Sequence, residues 1–450
     1  MTQRDLSQGS ISKSLLKLTA PMTLGITSSI LVQTLEMGFI GQLGIGHVAA
    51  MTFTFPMTMI LSSIALGMGI GASSLIARSV GGGDREDVRR LGTHSMLLVG
   101  GAMAVLAIAG WASIDPVFLA LGAPPDMLPL LHSYLNIYFP GAVLFTVTIT
   151  ASNIMRAAGN SNIPGLVITL GSVAHLAMDP ILIFGWFGFP RMELAGAATA
   201  MAVSRLLCTL VLFHYVYRSG LIRTHSIFSR FWASARRILH IGIPATATQL
   251  IGPISAAVIT RLLAGHGETV VAGFGVASRI EMTAIIALFA LSGSIGPFVG
   301  QNWGANRLDR VRGGMNAAYV FCLGWGLAAA LILFWFGATF ATWINDDAEV
   351  IAVAVFYLAL VPWSHGPWGV LMMASASFNG LGKPIPSTVL SFARMFVLTV
   401  PLALLFNHTW GFRGIFAATA AANCLMGAAA YLWFRQTYFP ARTFQRIGRA

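Results

Sequence analysis

The fold is decided by two similar stretches of sequence, GGGDREDVR at residues 81–89 and GANRLDRVR at residues 304–312, which lie about 223 residues apart. The same shift aligns residues 13–89 with residues 236–312 without a gap. Both copies run from a basic residue through an apolar helix, a glycine hairpin and a second apolar helix to a glycine-rich charged loop. Two homologous halves in an apolar chain indicate a transporter with its pathway between them.

The composition is that of an integral membrane protein. Apolar residues make up 56% of the chain and charged residues 9%, whereas soluble domains contain about 25% charged residues. Mean hydropathy is +0.76. Runs of about 20 apolar residues are long enough to cross a bilayer as a helix. We therefore predict an all-α fold with twelve transmembrane helices in two homologous six-helix lobes, with spans near 16–41, 48–76, 93–114, 127–152, 163–187, 194–217, 239–264, 270–299, 315–343, 349–375, 386–406 and 412–435.

The net charge of +12 follows the predicted topology. Lysine and arginine fall in alternate loops, whereas the opposite loops hold few basic residues. The basic positions are Arg4, Lys13, Lys17, Arg78, Arg85, Arg89, Arg90, Arg156, residues 218–237, Arg307, Arg310, Arg312, Lys383, Arg435, Arg442, Arg446 and Arg449. This positive-inside pattern predicts a multi-pass protein of the cell inner (plasma) membrane with both termini in the cytoplasm. It also argues against nucleic-acid binding.

The basic segment 218–237 is the longest polar connection. We predict an N-terminal lobe at 1–217, a cytoplasmic linker at 218–237 and a C-terminal lobe at 238–450. The glycine-rich loops lack the Gly-Lys-Ser/Thr ending of a nucleotide-binding loop, so an ion gradient must drive transport. The three cysteines lie within predicted helices, and we expect no disulfide, metal or organic cofactor.

Three acidic residues fall well inside predicted spans: Glu36, Asp179 and Glu281. Intramembrane carboxylates are costly and usually functional. His175 precedes Asp179 by four residues, so the two share one helix face, and an imidazole there could stabilise the carboxylate or relay its proton. Asn153, at the end of span 4, could donate a hydrogen bond to either carboxylate or cap its own helix. These residues are candidates for ion coupling.

The role of Glu281 stays open between a structural pairing and an anionic contact for a cationic substrate. Arg279, two residues earlier, points to nearly the opposite side of a regular helix, and Arg394 in span 11 is a possible partner instead. Gln33 and Met37, beside Glu36, are further candidate substrate contacts because adaptable methionine surfaces suit promiscuous binding sites.

Five motifs occur in a fixed order: TAP at 19–21, EMGFIGQLG at 36–44, RAAG at 156–159, MDPILIF at 178–184 and GAAT at 196–199. Together with the duplicated twelve spans they resemble the multidrug and toxic compound extrusion (MATE) family. The resemblance implies two six-helix lobes around a central V-shaped cavity. It also implies an antiporter, not an enzyme, that exports small cationic, lipophilic or aromatic drug-like compounds against an inward flow of protons or sodium ions.

The resemblance also implies which residues couple the ion. The acidic residue of helix 1, usually Asp, falls on Glu36, and the helix 5 Asp falls on Asp179. The helix 4 Asn falls on Asn153, and the helix 6 Thr or Ser falls on Thr199. Many members of the family have Asn where this chain has His175.

Helices 7 and 10 lack the carboxylates of the branch that binds its cation in the C-terminal lobe. The chain therefore resembles the DinF-like branch, with coupling in the N-terminal lobe, and we favour protons over sodium. We expect it to act as a monomer among membrane lipids. The rival interpretations are a sodium-coupled relative, a lipid-linked-oligosaccharide flippase and a membrane-embedded enzyme. A flippase would need more intramembrane basic residues, and an enzyme would need a nucleophile–base or metal-ligand cluster.

Overall fold

A computed structural model describes residues 6–439, so Arg4, Arg442, Arg446 and Arg449 of the predicted cytoplasmic termini lie outside the described residues. The described part forms twelve helices long and apolar enough to cross a membrane, which confirms the predicted all-α fold. They are α1 (Ile11–Gly41), α2 (Ile45–Gly81), α3 (Arg85–Ala112), α4 (Leu128–Ala157), α5 (Asn162–Phe184), α6 (Glu193–Arg218), α7 (Phe231–Ala264), α8 (Glu268–Gly304), α9 (Leu308–Thr342), α10 (Ala348–Gly380), α11 (Pro384–Trp410) and α12 (Phe412–Tyr438).

Two of these helices are locally irregular. α10 contains a 3₁₀ turn at Val361–Ser364, and α11 contains a π-helical stretch at Ala393–Thr399. A short helix, Ile114–Ala120, and a 3₁₀ turn, Pro125–Met127, lie between α3 and α4. In contrast, α5 is one continuous helix through Pro180.

Several helices are longer than their predicted spans. The sequence predicts 48–76 for the second span, whereas α2 runs over Ile45–Gly81. The predicted span covers only the apolar run, because apolar residues are needed only where the helix crosses the hydrocarbon of the membrane. The backbone hydrogen bonds continue through polar residues until a glycine can reverse the chain.

Corresponding turns in the two halves have similar backbone conformations. Gly44 and its counterpart Gly267 both adopt positive φ angles, 121° and 102°. The turn after α2 has Gly83 at φ 75°, and the turn after α8 has Asn306 at φ 56° in the corresponding position. Glycine and asparagine are the residues that tolerate this left-handed region. The two halves therefore share turn conformations even where the residue type differs.

The chain divides into two compact units. The first contains Leu16–Gln249, and the second contains Ser7–Leu15 and the chain from Leu250 onward. In the first unit, α4 packs against α2 and α6, and α5 packs against α6. Buried Phe118 and Phe139 belong to one apolar cluster of this unit. In the second unit, α12 packs against α10 and α11, and α8 packs against α9 and α10.

An ionic cluster joins the start of α3 to the start of α7 within the first unit. The Asp87 carboxylate accepts hydrogen bonds from both terminal nitrogens of Arg237 at 3.0 and 3.1 Å and from the Ser79 hydroxyl at 2.6 Å. Arg90 donates to the same carboxylate. Since three side chains converge on one largely buried carboxylate, Asp87 fixes the position of this end of α7.

We expect Asp87→Asn to destabilise the protein by about 1.5–3 kcal/mol, because charge-assisted hydrogen bonds of this kind contribute about that much. The matched control is Asp309→Asn, since Asp309 is exposed and its pair with Arg307 lies at the surface, where such pairs contribute about 0–1 kcal/mol. Thermal unfolding of the detergent-solubilised protein provides the measurement. Equal shifts in the two variants would show that the Asp87 cluster does not stabilise the fold.

Candidate ion-coupling site

Helices α1 and α5 run side by side, and their register brings the candidate residues together. Near their N-terminal halves, Gly165 of α5 lies against the Pro21 carbonyl of α1, so closely that a Cβ on Gly165 would stand 2.4 Å from its oxygen. Farther along, the hydroxyls of Ser29 and Ser172 are 3.3 Å apart. Small residues allow such close helix approach in membranes. The same register places the end of α1 beside the end of α5.

Glu36, His175 and Asp179 meet at that end of the two helices. The His175 Nε2 atom lies 3.4 Å from Asp179 Oδ1 and 3.7 Å from Glu36 Oε1. One potential ligand atom from each of the three side chains lies within 4.8 Å of the others. The geometry thus brings together three of the five residues that the sequence analysis names for ion coupling, with the imidazole between two carboxyl groups.

The Asp179 carboxyl is completely buried, and neither of its oxygens has a hydrogen-bond partner among the described residues. The His175 Nε2 atom also lacks one, because 3.4 Å is too long for a good hydrogen bond in this geometry. An ionised carboxylate without hydrogen bonds is very costly in such surroundings. The site therefore suits a species that neutralises the carboxylate, either a proton or a small cation.

Asn153 and Thr199 form their hydrogen bonds with other groups than this cluster. Asn153 is buried in α4, accepts a hydrogen bond from Arg156, and has its amide nitrogen against Gly69 of α2. The Thr199 hydroxyl donates to the Ala195 carbonyl at 2.7 Å, within its own helix α6.

Gln33 and Met37 lie on the exposed part of α1. Met37 is exposed, whereas the side chain of Glu36 is 12% exposed. These two candidate substrate contacts are therefore accessible beside the buried cluster.

The second unit holds a cluster that the sequence analysis did not find. The His365 Nε2 atom lies 2.6 Å from Glu281 Oε1, and the Tyr357 hydroxyl donates to Glu281 Oε2 at 2.8 Å. Arg394, the partner considered from sequence, instead donates to Asn423 at 3.2 Å. His365 and Tyr357 flank the 3₁₀ turn of α10. Neither residue is a carboxylic acid, so the rule that intramembrane carboxylates are functional does not point to them. Both are titratable side chains within a predicted span, and that is the signal in the sequence that could have revealed them.

Between residues 6 and 439, twelve helices long enough to cross a membrane and two buried clusters of protonatable side chains form the architecture of a membrane transporter. The MatE family profile matches residues 21–181 and 244–405, one block in each half. The chain therefore belongs to the MatE family, which confirms the resemblance seen in the motifs.

Proteins similar in sequence to this chain are described as transporters of different substrates. A protein of Shewanella oneidensis described as an FAD transporter is 33% identical over 424 residues, covering 94% of each chain. The multidrug export protein MepA of Staphylococcus aureus is 23% identical, covering 94% of this chain and 93% of its own. A crystal structure of a mutant of the Vibrio cholerae MATE transporter VcmN has a TM-score of 0.93 and 29% identity, covering 98% of this chain and all of that one.

Proposed function

We propose that this transporter is a proton-coupled efflux antiporter in which Glu36, His175 and Asp179 bind the coupling proton. The observation that carries the proposal is the buried Asp179 carboxyl without a hydrogen-bond partner among the described residues. When protonated, the cluster carries less charge and tolerates a closed, dry environment. When the proton leaves, ionised Asp179 requires water or a counter-charge. A conformational change that opens the cluster to water is therefore favoured by proton release.

The composition of the cluster favours a proton over sodium. Hard cations prefer several oxygen ligands. Here two carboxyl groups and one imidazole approach one another, and all three are groups that bind protons. A sodium-coupled antiporter is the alternative, and it would require further oxygen ligands around Asp179.

For the substrate, we propose lipophilic or aromatic drug-like compounds, cationic ones among them, because the multidrug export protein MepA is similar over most of its length. A second candidate is a flavin dinucleotide, favoured by the FAD transporter of Shewanella oneidensis at 33% identity. We place the protein in the inner membrane as a monomer with both termini in the cytoplasm, in accordance with the distribution of basic residues.

Reconstituted protein tests the coupling ion directly. Proteoliposomes loaded with a fluorescent cation are exposed to an imposed proton gradient or to an imposed sodium gradient of equal size. We expect efflux to follow the proton gradient and to be unchanged by sodium. Efflux driven only by sodium would contradict proton coupling and favour the sodium-coupled alternative.

A further inference from the structure

Two opposite charges lie two residues apart on α8, and only one of them is paired. Both oxygens of Glu281 are engaged, by His365 and by Tyr357 of α10. Because residues two apart point to nearly opposite sides of a helix, Arg279 faces away from this cluster. Arg279 is exposed, and no ion pair or hydrogen bond joins it to another residue between 6 and 439.

The depth of Arg279 makes this exposure significant. α8 has 37 residues, which corresponds to a helix about 55 Å long at about 1.5 Å per residue. The hydrocarbon core of a bilayer is about 30 Å thick, so a centred helix projects roughly 12 Å beyond it at each end. Arg279 lies about 16 Å from the start of α8. For a centred helix, its backbone would lie about 4 Å inside the apolar thickness of the membrane.

The face of α8 around Arg279 is unlike a lipid-facing surface. The exposed neighbours on the same side are Ala272, Gly275, Met282 and Thr283, which are small, polar or flexible. In contrast, most of the exposed side chains of α9 are large and apolar, among them Phe321, Leu331 and Trp335. An arginine facing hydrocarbon is costly. The exposed face of α8 around Arg279 therefore suits contact with water better than contact with lipid.

We propose that Arg279 binds an anionic group of the transported substrate, a phosphate or a carboxylate. A planar guanidinium can donate two parallel hydrogen bonds to either oxyanion. Since Glu281 is held by α10, the charge that this part of α8 presents to a substrate is positive. The residue at the corresponding position in the first half is Pro56, so the duplication does not repeat this charge at that position. The inference rests on the proposed export function and assigns its substrate class.

The test uses two matched pairs of fluorescent compounds. Riboflavin 5′-phosphate differs from riboflavin by one phosphate, and rhodamine 110 has a carboxylate that rhodamine 123 masks as a methyl ester. Transport into proteoliposomes under a proton gradient is measured for wild type, Arg279→Gln and Arg279→Lys. The control is Arg413→Gln, which removes an exposed arginine at the start of α12.

We expect Arg279→Gln to raise the KM of the phosphate or the carboxylate compound about 10- to 100-fold, the effect of losing a charge-assisted hydrogen bond. The uncharged riboflavin and the esterified rhodamine 123 should change less than about twofold, since they lack the oxyanion. Arg279→Lys should retain part of the affinity, and Arg413→Gln should match wild type. The compound that responds, phosphate or carboxylate, identifies the oxyanion.

Three outcomes would overturn the inference. The first is an equal change for both members of each pair, and the second is no change in Arg279→Gln, as expected for an arginine that contacts only lipid headgroups. The third is transport of rhodamine 123 alone, which would reject an anionic substrate while leaving proton-coupled export intact. If no compound is transported, the proposed function fails; binding of the same pairs, measured by fluorescence anisotropy, then decides the role of Arg279 separately.

Discussion

Asp179→Asn is expected to abolish proton-driven export while leaving the protein folded and able to bind substrate. Asparagine has nearly the shape of a protonated aspartic acid but cannot release a proton. Because Asp179 is completely buried, the neutral amide also avoids the cost of a buried charge. We expect uphill export to fall by at least about 100-fold, comparable to the loss of an essential proton-transfer group.

Two measurements separate lost coupling from lost folding. Substrate exchange at equal pH on both sides needs no proton release, so it should persist in Asp179→Asn. Asp126→Asn is the matched control, since Asp126 is exposed in the turn before α4, and its export should equal that of wild type. Undiminished uphill export by Asp179→Asn would remove this residue from the coupling site.

Gly165→Val should damage both stability and coupling, because it changes the crossing that aligns α1 with α5. The added Cβ would stand 2.4 Å from the Pro21 carbonyl oxygen and 2.7 Å from its carbon. Backbone atoms cannot rotate away, so the two helices must separate. Overpacking of this kind costs about 1–3 kcal/mol or more, and we expect a lower midpoint of thermal unfolding in detergent.

The control for this variant is Gly101→Val in α3, where no atom lies within 4 Å of the added Cβ. It makes the same glycine-to-valine change within a helix. The difference in thermal midpoint between the two variants therefore measures the contribution of the α1–α5 contact alone. Gly165→Val should also lose proton-driven export because Glu36 moves away from His175. Equal thermal midpoints in the two variants would show that the α1–α5 contact is not tightly packed.

Features encoded locally could be predicted from the sequence. Apolar run length predicts the twelve spans, and the repeated glycines predict the turns at which the helices reverse. Glu36 and Asp179 could be singled out because intramembrane charges are rare, and His175 could be paired with Asp179 because residues four apart share a helix face. The joint role of Glu36 with the two residues of α5 was implied only by the family resemblance.

Contacts between distant helices could not be predicted in the same way. Glu281 is 76 residues from Tyr357 and 84 from His365, and the pairing depends on the register of α8 against α10 and on the 3₁₀ turn in α10. The orientation of Asn153 toward Arg156 is likewise set by how α4 packs. Sequence spacing defines the faces of one helix, whereas the packing of neighbouring helices selects which faces meet.

The most direct test of the account measures proton movement itself. Proteoliposomes that enclose a pH-sensitive dye are given a substrate gradient at equal starting pH. We expect a substrate-dependent proton flux, opposite in direction to the substrate, that is lost in both Glu36→Gln and Asp179→Asn. An unchanged proton flux in the two variants, or substrate movement accompanied by sodium and not by protons, would contradict the assignment of Glu36, His175 and Asp179 as the proton-coupling site.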